Sequence, residues 1–455
     1  MSKNTTFTFD GDSGVLLSLN LMIPKITLFP QTADINRQGH LVIGGNDTVE
    51  LATKYGTPLY VFDEVTIRNL CRDFKREFSR RYPDTTVVYA GKAFLHRALV
   101  EILKEEGLAL DVVSAGEIYI AETAGFPMDS VIFHGNNKSA EELKLALKKK
   151  IGRIVIDNMD ELRMLTSLAE ESSHIPEIML RITPGIDAHT HGHLTTGATG
   201  SKFGIPLYKA EEAISTAMAA ASLDLVGLHF HLGSMITEFQ PYLDAIELEL
   251  EMAAEMKNKY GFELEELDIG GGFGVQYTLE SQVPDVGLFA DRITERLLER
   301  CQAFRLPPPA LNIEPGRGII AKAGVALYGV GNIKDVAGNT YVSVDGGMAD
   351  NIRPALYAAR YEALVANKAD SKENDTVSIA GKYCESGDIL IKDIALPQVV
   401  SGDIIAIPVC GAYCIPMASN YNAALKPAIV MVKAGESRLI RRRETTYDLI
   451  RNDLV

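Results

Sequence analysis

Three stretches of this chain carry residue types that can do covalent or acid–base chemistry. Lys92 lies where an apolar strand, 87–90, is predicted to pass through Gly91 into an amphipathic helix. His229 and His231 share one face of a later predicted strand because side chains alternate with a period of two. The segment 314–317 sets a glutamate and an arginine around a rigid Pro-Gly corner. Taken singly, the lysine could be a solvated side chain and the Glu–Arg corner a structural ion pair. The two histidines could be metal ligands, but no Asp, Glu or Cys lies nearby at ligand spacing, so stacking on a flat cofactor suits His231 better.

A glycine cluster, Gly270-Gly271-Gly272-Phe273-Gly274, follows another predicted strand. Glycines let the backbone approach a phosphate closely and aim N–H groups at it. A dinucleotide-binding loop would need GxGxxG early in the chain and an acid about 20 residues later. The cluster lies late in the chain instead, and a tight turn without a ligand is the alternative.

Short apolar runs recur with helical patterns between most of them. They lie at 87–90, 108–113, 130–133, 153–156, 177–182, 225–230, 264–269 and 310–313. Strands that alternate with helices favour a parallel sheet, and eight units in this length predict an α/β fold, a closed (β/α)8 barrel. An open doubly wound sheet is the alternative, since it needs no eighth strand.

The polar residues follow the carboxyl ends of these runs, and in a barrel all such ends meet at one rim. A lysine, a glycine loop, a Glu–Arg corner and a histidine ring would then come together. Pyridoxal 5'-phosphate needs an amine, a phosphate cradle, a partner for its pyridine nitrogen and a ring face. The pattern therefore indicates that cofactor, and a barrel phosphate site near strands seven and eight agrees with it.

The remaining chain predicts a second domain. After Gly318 the helical periodicity fades and short β-type runs appear, which indicates a mainly β C-terminal domain. We predict an N-terminal segment at 1–46 that could join this β domain, a barrel at 47–317 and the β domain at 318–455. A chain of 455 residues is long enough for two domains.

Composition narrows the class of protein. The net charge of −15, from 60 acidic and 45 basic residues, argues against nucleic-acid binding. Five cysteines at irregular spacing do not form a disulfide framework and suggest a reducing compartment. No apolar run reaches the roughly 18 residues that span a bilayer, and the N-terminus lacks signal-peptide features. We expect a cytoplasmic protein that does not bind membranes.

Two further groups contain residue types that can ligate a metal, but neither pattern indicates a metal site. His189, His191 and His193 alternate in a Gly- and Thr-rich loop, where a polar loop over the site is the preferred interpretation. Cys410 and Cys414 lack the second pair of ligands that a zinc site needs.

From about Gly39 to Val432 the chain resembles the diaminopimelate decarboxylase family, within the alanine-racemase-like barrel class of pyridoxal phosphate enzymes. Nine stretches carry the resemblance: YAGKA at 89–93, FHGNNKS at 133–139, TG through SKFG at 196–204, HFHLGS at 229–234, DIGGGFG at 268–274, EPGRG at 314–318, VDGGMADNIRPALY at 344–357, CESGD at 384–388 and GAYCIPMASNYN at 411–422. The chain departs from the family in Phe94, where asparagine is usual, and in its long N-terminal lead.

The resemblance implies a role for each matching residue. Lys92 would bond to the cofactor, His231 would stack on its ring, and Glu314 would pair with the pyridine nitrogen. The phosphate region would be held by Ser234, Gly270, Gly271, Gly272, Arg317 and Tyr413. The substrate would be lined by Arg317, Arg353, Tyr357, Glu385 and Tyr413. Cys384 would reach the site from the partner subunit of a homodimer and reprotonate the carbanion.

The function implied is decarboxylation of meso-2,6-diaminopimelate to L-lysine and CO2, the last step of lysine biosynthesis. A decarboxylase of another diamino acid or of a carboxylated polyamine, of the ornithine, arginine or carboxynorspermidine type, is the alternative within the same chemistry. A non-catalytic regulator on the same fold is a third, against which the intact Lys92, Glu314 and Cys384 argue. A substrate with two amino-acid ends needs both carboxylate and ammonium partners, and Arg353 and Glu385 have those signs.

Overall fold

The computed structural model describes residues 23–186 and 202–454, and these form two compact units. The barrel unit comprises the described residues of 68–275 and 282–320. The mainly β unit comprises those of 1–67, 276–281 and 321–455. The predicted domain boundaries at 46/47 and 317/318 stay a prediction that limited proteolysis can check. In the described residues, no helix combines the length and apolar character needed to cross a membrane.

The eight predicted strands and the closed barrel are confirmed. Each strand pairs in parallel with the next, and the last pairs in parallel with the first, which closes the sheet on itself. The strands are Thr85–Ala90, Ala109–Val112, Val131–Phe133, Arg153–Ile156, Glu177–Thr183, Asp224–His229, Glu266–Asp268 and Ala310–Ile313. A short strand, Ile205–Pro206, extends the sheet beside the fifth.

Helices connect successive barrel strands, as the helical patterns between the apolar runs predict. Side-chain caps fix several of their starts: Ser139 and Glu142 form a reciprocal capping box, and Asn158 accepts the N–H of Glu161 at 2.9 Å. The α-helices are Glu64–Ser79, Arg97–Glu105, Ala115–Thr123, Ala140–Lys149, Met159–Glu170, Ala210–Ala219, Gln240–Tyr260, Val286–Phe304 and Arg317–Ile320. The 3-10 helices are Gly91–Ala93, Met128–Ser130 and Leu207–Lys209.

An apolar layer lies directly below a polar layer in the barrel strands. Side chains from neighbouring strands pack together in one buried cluster, namely Val88, Ile132, Val155, Met179 and Val226, and the partly buried Ala109 packs against it. Side chains two positions apart share a face of a strand. The residues two positions nearer the carboxyl ends are Ala90, Asp111, His134, Asp157, Arg181 and Leu228. Four of the six are ionisable, so the apolar layer supports a charged layer at the rim.

The mainly β unit contains a nine-stranded sheet. The strands are Leu59–Asp63, Gly324–Val336, Asn339–Val344, Leu364–Val365, Asp375–Ala380, Ile389–Leu396, Ile404–Ile407, Ala428–Lys433 and Glu436–Arg441. A separate three-stranded sheet contains Asp34–Ile35, Leu41–Ile43 and Asn46–Asp47. The helices are Thr48–Tyr55, Arg353–Tyr357 and Thr446–Ile450, with 3-10 turns at Pro24–Leu28, Ala366–Lys368, Ile415–Met417 and Tyr421–Ala423.

The strand Leu59–Asp63 belongs to this sheet, although the sequence analysis included it in the barrel range. It pairs in parallel with Ala428–Lys433 and antiparallel with the start of Gly324–Val336. All five of its residues are buried, and Leu59 and Val61 share a core with Ile26, Phe29 and Val430. The described part of the N-terminal segment, 23–46, therefore packs within the mainly β unit.

Asp350, in the stretch 344–357, provides a test by pH. Its buried carboxylate accepts hydrogen bonds from the hydroxyls of Tyr60 and Tyr328 and from the N–H of Gly347. Burial raises the pKa of Asp350 to about 6, against the hydrogen bonds that lower it. The folded state then binds more protons than the unfolded state between about pH 4 and pH 6, so this group makes stability fall as pH rises. The free energy of unfolding of the native chain should therefore fall from pH 5 to pH 7 in part because of this carboxyl. In Asp350→Asn we expect that fall to be smaller by about 1 kcal/mol.

Urea unfolding at both pH values measures this effect. Asp375→Asn, at an exposed position of the same unit, is the matched control and should leave the pH dependence unchanged. Equal pH slopes for Asp350→Asn and the native chain would contradict the assignment.

Candidate active site

Lys92 lies on the 3-10 turn Gly91–Ala93, immediately after the first barrel strand. Its Nζ is 3.7 Å from Oδ2 of Asp111 on the second strand. A Cβ on Gly91 would stand 2.7 Å from the Asp111 carbonyl oxygen, so glycine is needed for this close approach. Burial raises the pKa of Asp111, while His134 and Lys92 act to lower it. Lys92 is thus an amine held at the rim above a buried acid.

Glu314, at the end of the eighth strand, is buried between two histidines. His134 Nε2 is 2.7 Å from its Oε1, and His229 Nε2 is 3.6 Å from its Oε2. Burial alone would raise the pKa of Glu314, but His134 and His229 outweigh it and hold the pKa well below its usual range. Burial lowers the pKa of His229 to about 3, so this imidazole is neutral near pH 7. Glu314 is therefore an ionised carboxylate inside the barrel.

The glycine cluster brings bare backbone to the same place. A Cβ on Gly271 would stand 2.1 Å from the Glu314 carbonyl oxygen, and one on Gly272 would stand 2.6 Å from the carbonyl oxygen of Gly233. The Gly270 N–H donates to Oδ1 of Asp268 at 2.8 Å. These contacts exclude side chains, which is the reason that the sequence has three glycines in a row.

His231 is oriented by this glycine backbone. The N–H of Gly271 donates to Nδ1 of His231 at 3.2 Å, which leaves the ring proton on Nε2. Desolvation and the positive charge of Lys92 lower the pKa of His231 well below its ordinary value. A neutral, fixed ring is suited to stacking on a flat cofactor.

Ser234 and Arg317 meet at the ends of the sixth and eighth strands. Arg317 Nη2 donates to Ser234 Oγ at 2.8 Å. Arg317 opens the short helix Arg317–Ile320 after the Pro-Gly corner. A guanidinium and a hydroxyl beside the glycine backbone form the kind of donor set that phosphate needs.

The other predicted site residues lie in the mainly β unit. Arg353 is buried at the start of the helix Arg353–Tyr357, and Tyr357 is exposed at its end. Tyr413 has a φ of +60°, in the left-handed region. Cys384 and Glu385 are exposed on the loop before Ile389–Leu396.

The Cys384 backbone is held on both sides. Its N–H donates to Oδ1 of Asn422 at 3.0 Å, and its carbonyl oxygen accepts from the Tyr421 hydroxyl at 3.2 Å. The side chain of Glu385 accepts the N–H of Gly387 at 3.2 Å. The thiol is therefore presented at a defined place on the surface of its unit.

Sequence reasoning missed several charged residues of the barrel site, above all Asp111, Asp268 and Arg181. Burial and the charge of Glu314 raise the pKa of Asp268 well above its usual range. Arg181 lies with its guanidinium carbon 4.7 Å from the centroid of the Phe203 ring. The sequence does contain a signal for these residues, namely an acid or an arginine within an apolar strand. Such residues are seldom buried without a partner, so their presence there indicates a charged cluster.

Phe94, which departs from the family pattern, is buried in the barrel unit. Its ring stacks on His96 with 6.3 Å between centroids, and its carbonyl oxygen accepts from the Tyr89 hydroxyl at 2.8 Å. The His189, His191 and His193 loop lies outside the described residues.

Two kinds of ligand suit the buried cluster. Ligand atoms of His134, His229 and Glu314 all lie within 4.8 Å of one another and could hold a divalent cation. Pyridoxal 5'-phosphate fits the whole site better, because it uses the amine, the ring face and the bare glycine backbone as well. Glu314 Oε1 is buried without a hydrogen bond of good geometry, so it can accept one from a protonated ring nitrogen.

Similarity to known proteins supports a pyridoxal phosphate site. Residues 65–321 match the family model for the pyridoxal-binding domain of pyridoxal-dependent decarboxylases. A diaminopimelate decarboxylase of Bacillus subtilis is 46% identical over 93% of this chain and 97% of its own. That of Bacillus methanolicus is also 46% identical, over 91% and 97%. A solved diaminopimelate decarboxylase from M. jannaschii in complex with L-lysine superposes with a TM-score of 0.88 at 35% identity, covering 93% of this chain and 98% of that one.

The fold and the site define a pyridoxal phosphate-dependent decarboxylase of the barrel class. Within that class, the chain belongs to the diaminopimelate decarboxylase family. The predicted fold class, family and cofactor are confirmed.

Proposed function

We propose that this protein decarboxylates meso-2,6-diaminopimelate to L-lysine and CO2, the last step of lysine biosynthesis. The observation that carries the proposal is the buried, ionised Glu314, which lies beside the glycine backbone on the same barrel rim as Lys92. Family membership supports it, and so does the L-lysine bound in the solved M. jannaschii relative. The bound cofactor supplies an electron sink for the pair left when the bond to CO2 breaks.

The barrel residues bind and orient the cofactor in this proposal. Lys92 holds it through its amine, and His231 covers one face of its ring. Glu314 keeps a proton on the ring nitrogen, because an ionised carboxylate in a buried site favours its protonated partner. We assign the binding of its phosphate to Ser234, the three glycines 270–272 and Arg317 of the barrel unit, and to Tyr413 of the mainly β unit.

Four of the five substrate-binding residues of this proposal belong to the mainly β unit, and the fifth, Arg317, belongs to the barrel unit. Arg353 binds the carboxylate that remains in the product, and Glu385 binds the ammonium group beside it. Arg317, Tyr357 and Tyr413 line the same substrate. No carboxylate of the described residues lies within ion-pair distance of Arg353, so this buried guanidinium is left for an acidic ligand.

Cys384 delivers the proton that replaces CO2. It does so from the partner subunit, so the active unit is a homodimer with shared sites, and we place it in the cytoplasm. A thiol is a suitable general acid when its pKa lies near the working pH.

Incubation of the holoenzyme with meso-diaminopimelate and, separately, with ornithine tests the reaction. We expect CO2 and L-lysine in equal amounts from the first and almost no CO2 from the second. Absence of CO2 from diaminopimelate would refute the proposal, and CO2 from ornithine alone would favour the alternative decarboxylase.

Mixing inactive subunits tests the shared site. Lys92→Ala should abolish activity, and Cys384→Ala should lower kcat by about 10²-fold or more while the cofactor stays bound. In an equimolar mixture of the two variants, half the dimers carry one intact site, so activity should recover to about a quarter of native.

The recovery requires subunit exchange, which mass spectrometry of the mixture verifies. Mixing Lys92→Ala with Lys92→Arg is the control and should restore nothing. Exchange without recovery would show that Cys384 acts within its own subunit or has no such role.

A further inference from the structure

Two tyrosines enclose the Arg353 guanidinium within the mainly β unit. The guanidinium carbon lies 4.7 Å from the centroid of the Tyr277 ring and 5.5 Å from that of Tyr361. The two rings are 5.3 Å apart and nearly perpendicular, at 85°. Arg353, Tyr277 and Tyr361 are all largely buried, at 5%, 6% and 4% exposure. We call Tyr277 and Tyr361 the tyrosine clamp.

A hydrogen bond fixes the rotation of the guanidinium. Nη1 of Arg353 donates to the Tyr361 hydroxyl oxygen. Because a guanidinium can only donate, the Tyr361 proton is free to point elsewhere, and Sγ of Cys414 lies 3.7 Å from that oxygen. The series of side-chain contacts from Arg353 through Tyr361 to Cys414 therefore holds one edge of the guanidinium and leaves the other edge to a ligand.

This environment replaces an ion pair. A buried arginine usually has a carboxylate partner, because an isolated charge is costly to desolvate. In the part of the chain that the structure describes, no carboxylate oxygen lies within 4.0 Å of Arg353. Two ring faces stabilise the cation without neutralising it, so its attraction for an incoming carboxylate is retained.

We propose that Tyr277 and Tyr361 are positioning residues that hold Arg353 for the carboxylate remote from the reacting carbon. They thereby select substrates and products that carry this group. The inference rests on the proposed function.

Lysine and cadaverine separate this role from a merely structural one. Both are diamines with the same carbon spacing, but only lysine keeps the remote carboxylate. We expect Tyr361→Phe and Tyr277→Leu to weaken lysine binding to the holoenzyme about tenfold, as measured by calorimetry, and to change cadaverine binding less than about twofold. The KM for diaminopimelate should rise in parallel, with kcat within about threefold of native.

Two further variants control the experiment. Tyr277→Phe keeps the ring and should therefore bind lysine more tightly than Tyr277→Leu. Tyr447→Phe, at an exposed position of the same unit, should change nothing. Because Tyr361→Phe removes only a hydroxyl, it tests the clamp even if Tyr277→Leu fails to fold.

An unchanged ratio of lysine to cadaverine affinity in Tyr361→Phe would overturn the clamp, even in an enzyme that decarboxylates diaminopimelate. Native protein that releases no CO2 from diaminopimelate would instead overturn the proposed function. The binding ratio would then still decide whether the clamp selects a carboxylate.

Discussion

Lys92→Ala is expected to lower kcat for diaminopimelate by at least about 10³-fold and to remove the visible absorbance of the bound cofactor. The reason is that the proposed covalent link needs a primary amine at the rim, beside Asp111 and above the apolar layer. The Lys92 side chain is 39% exposed, so its removal leaves no large cavity. Steady-state kinetics, an absorbance spectrum and a thermal unfolding curve measure the three effects.

Lys92→Arg separates the amine from its charge. Arginine keeps a cation near Asp111 but is protonated throughout the working range, so it cannot form the same bond. We expect it to be as inactive as Lys92→Ala. Lys144→Ala, at an exposed position on the helix Ala140–Lys149, is the matched control and should keep full activity. Activity above about a tenth of native in Lys92→Arg would show that the charge, and not the amine, is what matters.

Glu314→Gln is expected to lower kcat by about 10²- to 10³-fold, which corresponds to about 3–4 kcal/mol of transition-state stabilisation. Glutamine has nearly the same shape but no charge, so the proposed ring-nitrogen proton would lose its counterion. The pKa of Glu314 lies well below its usual range, so the native carboxylate stays ionised as pH falls. The acid limb of the native pH–rate profile should therefore not arise from this group.

Glu314→Asp is the companion variant. It keeps the charge with a shorter reach, so it should retain more activity than Glu314→Gln. The cofactor should remain bound in both variants, with an altered absorbance spectrum in Glu314→Gln. Native kcat in Glu314→Gln would contradict the role that we propose for this carboxylate.

The barrel could be predicted from the sequence because its signals are local. Each strand is a short apolar run with a helical pattern after it, and eight repeats leave few ways to close a sheet. Lys92, the glycine loop and Glu314 could be found because they follow strand ends, which a parallel barrel brings to one rim. The resemblance then assigned roles to residues such as Arg353 and Cys384, whose local sequence says little.

The tertiary structure alone placed the strand Leu59–Asp63. Its apolar residues suit either sheet, and its partners, Ala428–Lys433 and Gly324–Val336, lie hundreds of positions away. The strands Ile389–Leu396 and Glu436–Arg441 are hard to recognise in the sequence, because polar and charged residues interrupt their apolar pattern. Strand pairing of this kind depends on contacts that no local window contains.

What the sequence determined by itself was the chemistry at the barrel rim, because the types and spacing of Lys92, the glycines and Glu314 are local facts. Only the tertiary structure decided the protonation states of the ionisable groups at that site. Asp111, His134 and Asp268 become one buried cluster with Glu314 when the sheet closes. Burial and neighbouring charge then set which of them are ionised, and both depend on the whole fold.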